Sequence, residues 1–164
     1  MPKSSGSGPL EIRIDAREFG ALLRDAKAFD ADLSRRLRKS IREAAKPAVD
    51  DVKGAVQSIP AKRDRGVRRG IAAGVGLRIN SGSSKGGAVT IAASGNRVPG
   101  PHRAMVRLLN KPSWRHPVFG DKQHWVTQSG RPYFGSVILT HRENILRAVE
   151  DALNEAAAAL GRSR

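Results

Sequence analysis

Two stretches of this chain repeat their apolar residues at steps of three and four, and they restrict its fold more than any other feature. The first runs through Leu33, Leu37, Ile41, Ala44, Ala48, Val52, Ala55 and Ile59; the second through Phe134, Ile138, Ile145, Val149, Leu153, Ala156 and Leu160. Side chains three and four apart share one face of a helix, so each stretch predicts a long amphipathic helix whose apolar stripe must be covered. Asp30 stands where the first helix would take its N-cap, and Pro60 where it ends. Pro47 lies inside it; proline lacks an N–H and crowds the preceding turn, which predicts a kink. The polar face carries Arg35, Arg36, Arg38, Lys39 and Arg42. Gly161 supplies the second helix with a stop, and the alanines at 156–159 favour helix while permitting close packing.

The remaining apolar residues alternate. Leu10, Ile12 and Ile14 are separated by Glu11 and Arg13, the period of a half-buried strand. Asp15 with Glu18 forms a capping box, and Ile14 with Phe19 a hydrophobic staple, so a short helix is expected from about Ala16 to Ala28. Val75, Leu77 and Ile79 alternate with Gly76, Arg78 and Asn80, and Val89, Ile91 and Ala93 repeat the pattern beyond SGSSKGG. That reads as a hairpin with a long, mobile, glycine-rich tip. Residues 61–70, AKRDRGVRRG, read as a basic connection without periodicity. Between Gly95 and Gly130 periodicity is lost apart from a helical turn at Arg103 to Leu109, and five of the seven aromatics fall between 114 and 134. The expected fold class is α+β: a small antiparallel sheet packed against two long helices, with an extended basic hairpin and an aromatic-rich loop. A chain of 164 residues with 39% hydrophobic content can close one modest core. Residues 1–8 read as a flexible tail and 9–164 as a single domain.

No apolar run is long enough to span a bilayer, and the first residues, MPKSSGSGPLEI, lack the apolar stretch of a signal peptide. The absence of cysteine fits synthesis in a reducing cytoplasm. The formal net charge is +15, and it is concentrated: residues 60–131 hold fourteen Lys/Arg against two Asp/Glu. Such a block repels itself, so its working state is expected to face polyanion or acidic protein surface. Lys62, Arg63, Arg65, Arg68, Arg69, Arg78 and Lys85 are the expected partner- or DNA-facing surface.

Catalytic chemistry finds little support in the residue pattern. His116 and His124 share a segment with Asp121, from which a nuclease-like metal site could be assembled, but the spacing matches no standard ligand set. His102 and His141 stand apart from them. Lys85 among glycines resembles a phosphate loop, yet no Ser or Thr follows and a strand comes next where that loop needs a helix. The expectation is a protein with no enzymatic activity, no metal and no cofactor.

Several short motifs, in order, carry a resemblance. A long helix rich in Ala and Lys/Arg ends at Pro60; Gly66-Val67-Arg68-Arg69 and Ile71 lead into strands; Trp114-Arg115-His116-Pro117 follows; Gly130-Arg131-Pro132-Tyr133-Phe134 opens the last helix. From about Leu33 to the C-terminus the chain resembles the neck, or tail-completion, family of long-tailed phages, to which the minor tail protein Z of phage lambda is related. The resemblance implies an α+β subunit of a homo-oligomeric ring, of six-fold symmetry, in the virion neck at the head–tail interface. Its implied partners are the head connector and the tail terminator or tail tube, with nonspecific contact to genomic DNA in the channel and none to membrane. Trp114, His116, Pro117, Pro132, Tyr133 and Phe134 are the expected structural anchors. A nonspecific DNA-binding or packaging-associated module is the alternative from a different class.

Overall fold

A computed structural model describes residues 9–15, 21, 24–25, 27, 31–61, 64–80, 87–118 and 120–161. Among them the chain is α+β, with helices and two small antiparallel sheets. In chain order the elements are β1 (Leu10–Asp15), α1 (Ala31–Gln57), α2 (Val67–Ala73), β2 (Val75–Asn80), β3 (Ala88–Ala93), a 3-10 turn (Gly100–Ala104), α3 (Met105–Leu108), β4 (Ser113–Val118), β5 (Asp121–Ser129) and α4 (Gly135–Gly161). By internal contacts the chain divides into two compact units, each made of separate stretches. One takes in Met1–Leu10, Asp51–Val75 and Ala92–Val137; the other takes in Glu11–Asp50, Gly76–Ile91 and Ile138–Arg164.

The first predicted helix forms and runs unbroken through Pro47, which sits on its exposed side. Leu33, Leu37, Ile41, Ala45, Ala48, Val52 and Val56 are fully or almost fully buried. The covered stripe thus passes through Ala45 and Val56, while Ala44 and Ala55 are only half-buried on its flank. The opposite face is laced by pairs one turn apart: Arg35 with Asp32, Lys39 with Glu43 at 3.8 Å, and Lys46 with Asp50 at 2.8 Å. These are solvent-exposed pairs, spaced to attract along one helix face and screened by water. On α4, Ile138, Ile145, Val149, Ala152 and Ala156 are buried, whereas Leu153 is half-buried. Ala21, Arg24, Asp25 and Lys27 are helical and exposed; the other residues of the expected 16–28 helix, and the Asp30 cap, lie outside the described residues.

The three-stranded sheet has the order β1-β3-β2. Its edge strand β2 alternates as the sequence predicts, but β3 is buried at Ala88, Val89, Thr90 and Ile91 alike. A central strand has neighbours on both sides, and the small residues Ala88 and Thr90 let its second face be covered too.

Two segments differ from the sequence reading. The basic connection at 61–70 contains the start of α2, a short helix in which Gly70, Ile71 and Ala72 are buried. The aromatic-rich loop is in large part a second sheet, the two-stranded ribbon β4–β5. Every residue of β5 is exposed, so no apolar alternation marks it as a strand. Among the described residues no helix is long and apolar enough to cross a membrane.

Candidate functional site

The segment 95–137 builds the most distinctive surface, and it is closed at its base by backbone. The N–H of Gly130 donates to the Pro112 carbonyl at 3.0 Å, and that of Arg131 to the Leu109 carbonyl at 2.8 Å. A Cβ at Gly130 would lie 2.2 Å from the Lys111 carbonyl oxygen, so this approach requires glycine. Asn110 Oδ1 then accepts from the N–H groups of Tyr133 and Phe134, both at 3.0 Å, immediately before α4 begins. Those donors would otherwise be orphans of the helix entry. Tyr133 is 1% exposed and donates its hydroxyl to the Val106 carbonyl at 2.8 Å. Burial raises its phenol well above the usual range.

From this base the ribbon extends in antiparallel register, with Trp114 opposite Gln128, Arg115 opposite Thr127, His116 opposite Val126 and Pro117 opposite Trp125. Directly opposed residues share a face. One face therefore carries Ser113, Arg115, Pro117, Trp125 and Thr127; the other carries Trp114, His116, Val126 and Gln128. The pairing slips after Pro117, and Gly120 turns the chain at φ 86°.

The two faces differ in chemistry. On the first, Trp125 is 47% exposed, its Nε1 donates to the Lys122 carbonyl at 2.8 Å, and the Arg115 guanidinium lies 5.9 Å from its ring centre. On the second, the rings of Trp114 and His116 lie 5.1 Å apart, tilted by 36°. Trp114 Nε1 and His116 Nε2 are occluded there and make no hydrogen bond among the described residues. Near the tip, Asp121 accepts from the Gln123 N–H at 2.8 Å and faces His124 Nδ1 at 2.7 Å. These two hydrogen bonds hold its carboxyl below the ordinary range.

Beside the base of the ribbon lies a cavity of about 460 Å³, walled on its apolar side by Ile59, Pro60, Ala61, Val67, Met105 and Leu109. Asp64 and Arg68 also line it. Arg68 Nε donates to Asp64 Oδ2 at 3.0 Å, and Nη1 donates to the carbonyls of Ile59 at 2.6 Å and Gln57 at 3.4 Å. The guanidinium thereby satisfies carbonyls at the end of α1. Partial burial pushes the Asp64 carboxyl up, but the hydrogen bonds and charge of Arg68 outweigh it and hold it below the ordinary range.

The residues singled out from sequence fall into separate places. Arg65 and Arg69 are exposed around α2, and Arg78 is exposed on β2. Arg68 differs from its neighbours: its side chain is 24% exposed and its donors face the chain's own carbonyls and Asp64, because it lies one helical turn from that carboxylate. Lys62, Arg63 and Lys85 lie outside the described residues. Tyr133 and Phe134 are buried. Pro132 is exposed, and its carbonyl accepts from Ser136 Oγ at 3.0 Å; Trp114, His116 and Pro117 are half-buried members of the ribbon. The strand positions of Arg115, Lys122 and Trp125, and the capping role of Asn110, were not legible in the sequence. The signal available for them was the β-favouring run Trp125-Val126-Thr127 after the Gly120 turn.

Among the described residues no group of three or more His, Cys, Asp or Glu side chains is placed to hold a metal ion. His116 is engaged with Trp114 and the Pro117 carbonyl, and His124 with Asp121. No family model, curated protein or solved structure matches the chain.

Proposed function

We propose that this protein is a non-enzymatic structural subunit of the phage virion. In this reading copies of the chain form a ring, six-fold by the resemblance, in the neck between head connector and tail tube. The observation that carries it is the character of the cavity. Its walls are mostly apolar, and its one ionic pair, Asp64–Arg68, is bound to itself and to carbonyls of α1. Among the described residues that line it, none is poised to move a proton or polarise a substrate, whereas an apolar hollow of this size suits side chains of an adjoining subunit. A head-to-tail ring joins one patch of each copy to a different patch of the next, so hollow and filler can lie on one sequence. Leu139, on α4 and 62% exposed, is an apolar side chain that such an assembly would cover.

The motifs behind the resemblance have structural work of the kind a joining protein needs. Gly130 to Phe134 closes the ribbon and starts α4, and Trp114 to Pro117 forms one strand of the ribbon. Cryo-electron microscopy of the neck in intact purified virions tests the reading. A closed ring of this chain between connector and tail tube is the expected result; virions that contain no copy of it would overturn the structural role.

A further inference from the structure

The ribbon face that carries Arg115 and Trp125 has a composition unlike that of a surface made to meet protein. Arg115 is its cation by register, the other exposed cations of the segment being Lys111, Lys122 and Arg131, and from Lys111 to Arg131 there is one carboxylate, Asp121. That carboxylate is already occupied by His124 and the Gln123 N–H. Ser113 and Thr127 add hydroxyls on the same face, and Trp125 is its one large exposed hydrophobe. Protein interfaces concentrate apolar side chains at their centre and exclude charge from it. Cations with hydroxyl donors, and no free carboxylate, are instead the groups that bind phosphate oxygens.

We propose that this face of the β4–β5 ribbon is a contact surface for duplex DNA, held through the phosphate backbone without reading its sequence. Dimensions agree with that partner. The nine residues of β5 span about 30 Å at roughly 3.3 Å each, close to one turn of B-form DNA, and a two-stranded ribbon is of a width its major groove admits. Trp125 fits the same partner. Its N–H is already satisfied by the Lys122 carbonyl, so the ring offers its face, while Arg115 is held over that ring with its fork of donors available to a phosphate. The surface also differs from the basic stretch around α2, where Arg68 is bound inward. This inference is independent of the ring: a virion lacking the protein would leave it standing, and a ring that ignores DNA would leave the neck role standing.

The test is binding of the full chain to a labelled duplex of about 30 base pairs, of arbitrary sequence, monitored by fluorescence anisotropy from about 50 to about 200 mM salt. The variant R115A should flatten the plot of log affinity against log salt by about one, for the phosphate that the removed cation neutralises, whereas R36A/R42A on the exposed face of α1 should leave it unchanged. DNA should also quench tryptophan emission in the wild type, and the quench should vanish in W125F, where Trp114 alone remains. Far-UV circular dichroism establishes that each variant keeps its fold. An unaltered slope in R115A, equal flattening in R36A/R42A, or a quench that survives in W125F would overturn the assignment. Polyglutamate competing as well as DNA at equal charge would also overturn it, in favour of an acidic protein partner.

Discussion

Tyr133 donates its hydroxyl to the main-chain carbonyl of Val106 at 2.8 Å, joining the entry of α4 to α3 across 27 residues. Both ends of this bond are buried. Removing the donor strands the carbonyl, so Y133F should destabilise the protein by about 1 to 3 kcal/mol in chemical denaturation, and Y133A by about 3 to 5 kcal/mol through the added cavity.

The same tyrosine gives a pH dependence. Its folded-state pKa is raised above the ordinary value of about 10, so the folded chain holds this proton more tightly than the unfolded chain. Its contribution is full below pH ~10 and is lost as pH rises beyond that value. Denaturation midpoints of wild type and Y133F measured on both sides of this pH should converge under alkaline conditions.

Asn110 Oδ1 acts as a cap from outside the helix it serves, accepting from the N–H groups of Tyr133 and Phe134. N110A should lower stability by about 1 to 3 kcal/mol by leaving two donors without a partner. N110D keeps the acceptor and places negative charge at a helix N-terminus, so its melting temperature should match or exceed that of the wild type.

Glycine-to-alanine substitutions should divide by what surrounds them. At Gly130 the new methyl meets the Lys111 carbonyl oxygen at 2.2 Å, and G130A should destabilise by about 1 to 3 kcal/mol or more as the ribbon base shifts. At Gly54, within α1, nothing lies within 4 Å, and G54A should stabilise by roughly 0.5 to 1 kcal/mol. Thermal melts of the two variants check both signs.

The ion pair of Asp64 with Arg68 predicts behaviour in acid. The Asp64 carboxyl is held below its ordinary value of about 3.9, so its stabilising contribution is present above that pH and is lost as pH falls through the folded-state value. D64N should lack this part of the acid loss, so its stability and that of the wild type should draw together below pH ~4. R68K should not restore the wild type, because an ammonium cannot serve Asp64 and the Ile59 carbonyl with the same fork.

How far the fold was legible follows from where apolar side chains fall. The stripe from Leu33 to Val52, the stripe on α4 and the alternation in β1 and β2 could be read directly, because each element buries one face and leaves the other wet. The burial of Phe134, which opens the α4 stripe, follows from the same rule. The candidate site was less legible. The basic surface is expected at Lys62, Arg63, Arg65, Arg68, Arg69, Arg78 and Lys85, but Arg68 turns inward, and the face with Arg115 and Trp125 lies in a stretch without apolar periodicity.

What the sequence alone determined, then, is the set of elements whose hydrophobic period matches their geometry, together with a net charge of +15 gathered in the middle of the chain. Tertiary structure decided the ribbon, its register and the partners of its charges. β5 is exposed on both faces, so its identity as a strand rests on backbone hydrogen bonds to β4, which no side-chain period records. The base of the ribbon is likewise fixed by distance: Gly130 must pass beside Lys111, and Asn110 must reach two N–H groups more than twenty residues away. Such long-range approaches depend on chain closure, and local sequence carries the residues for them without stating that they meet.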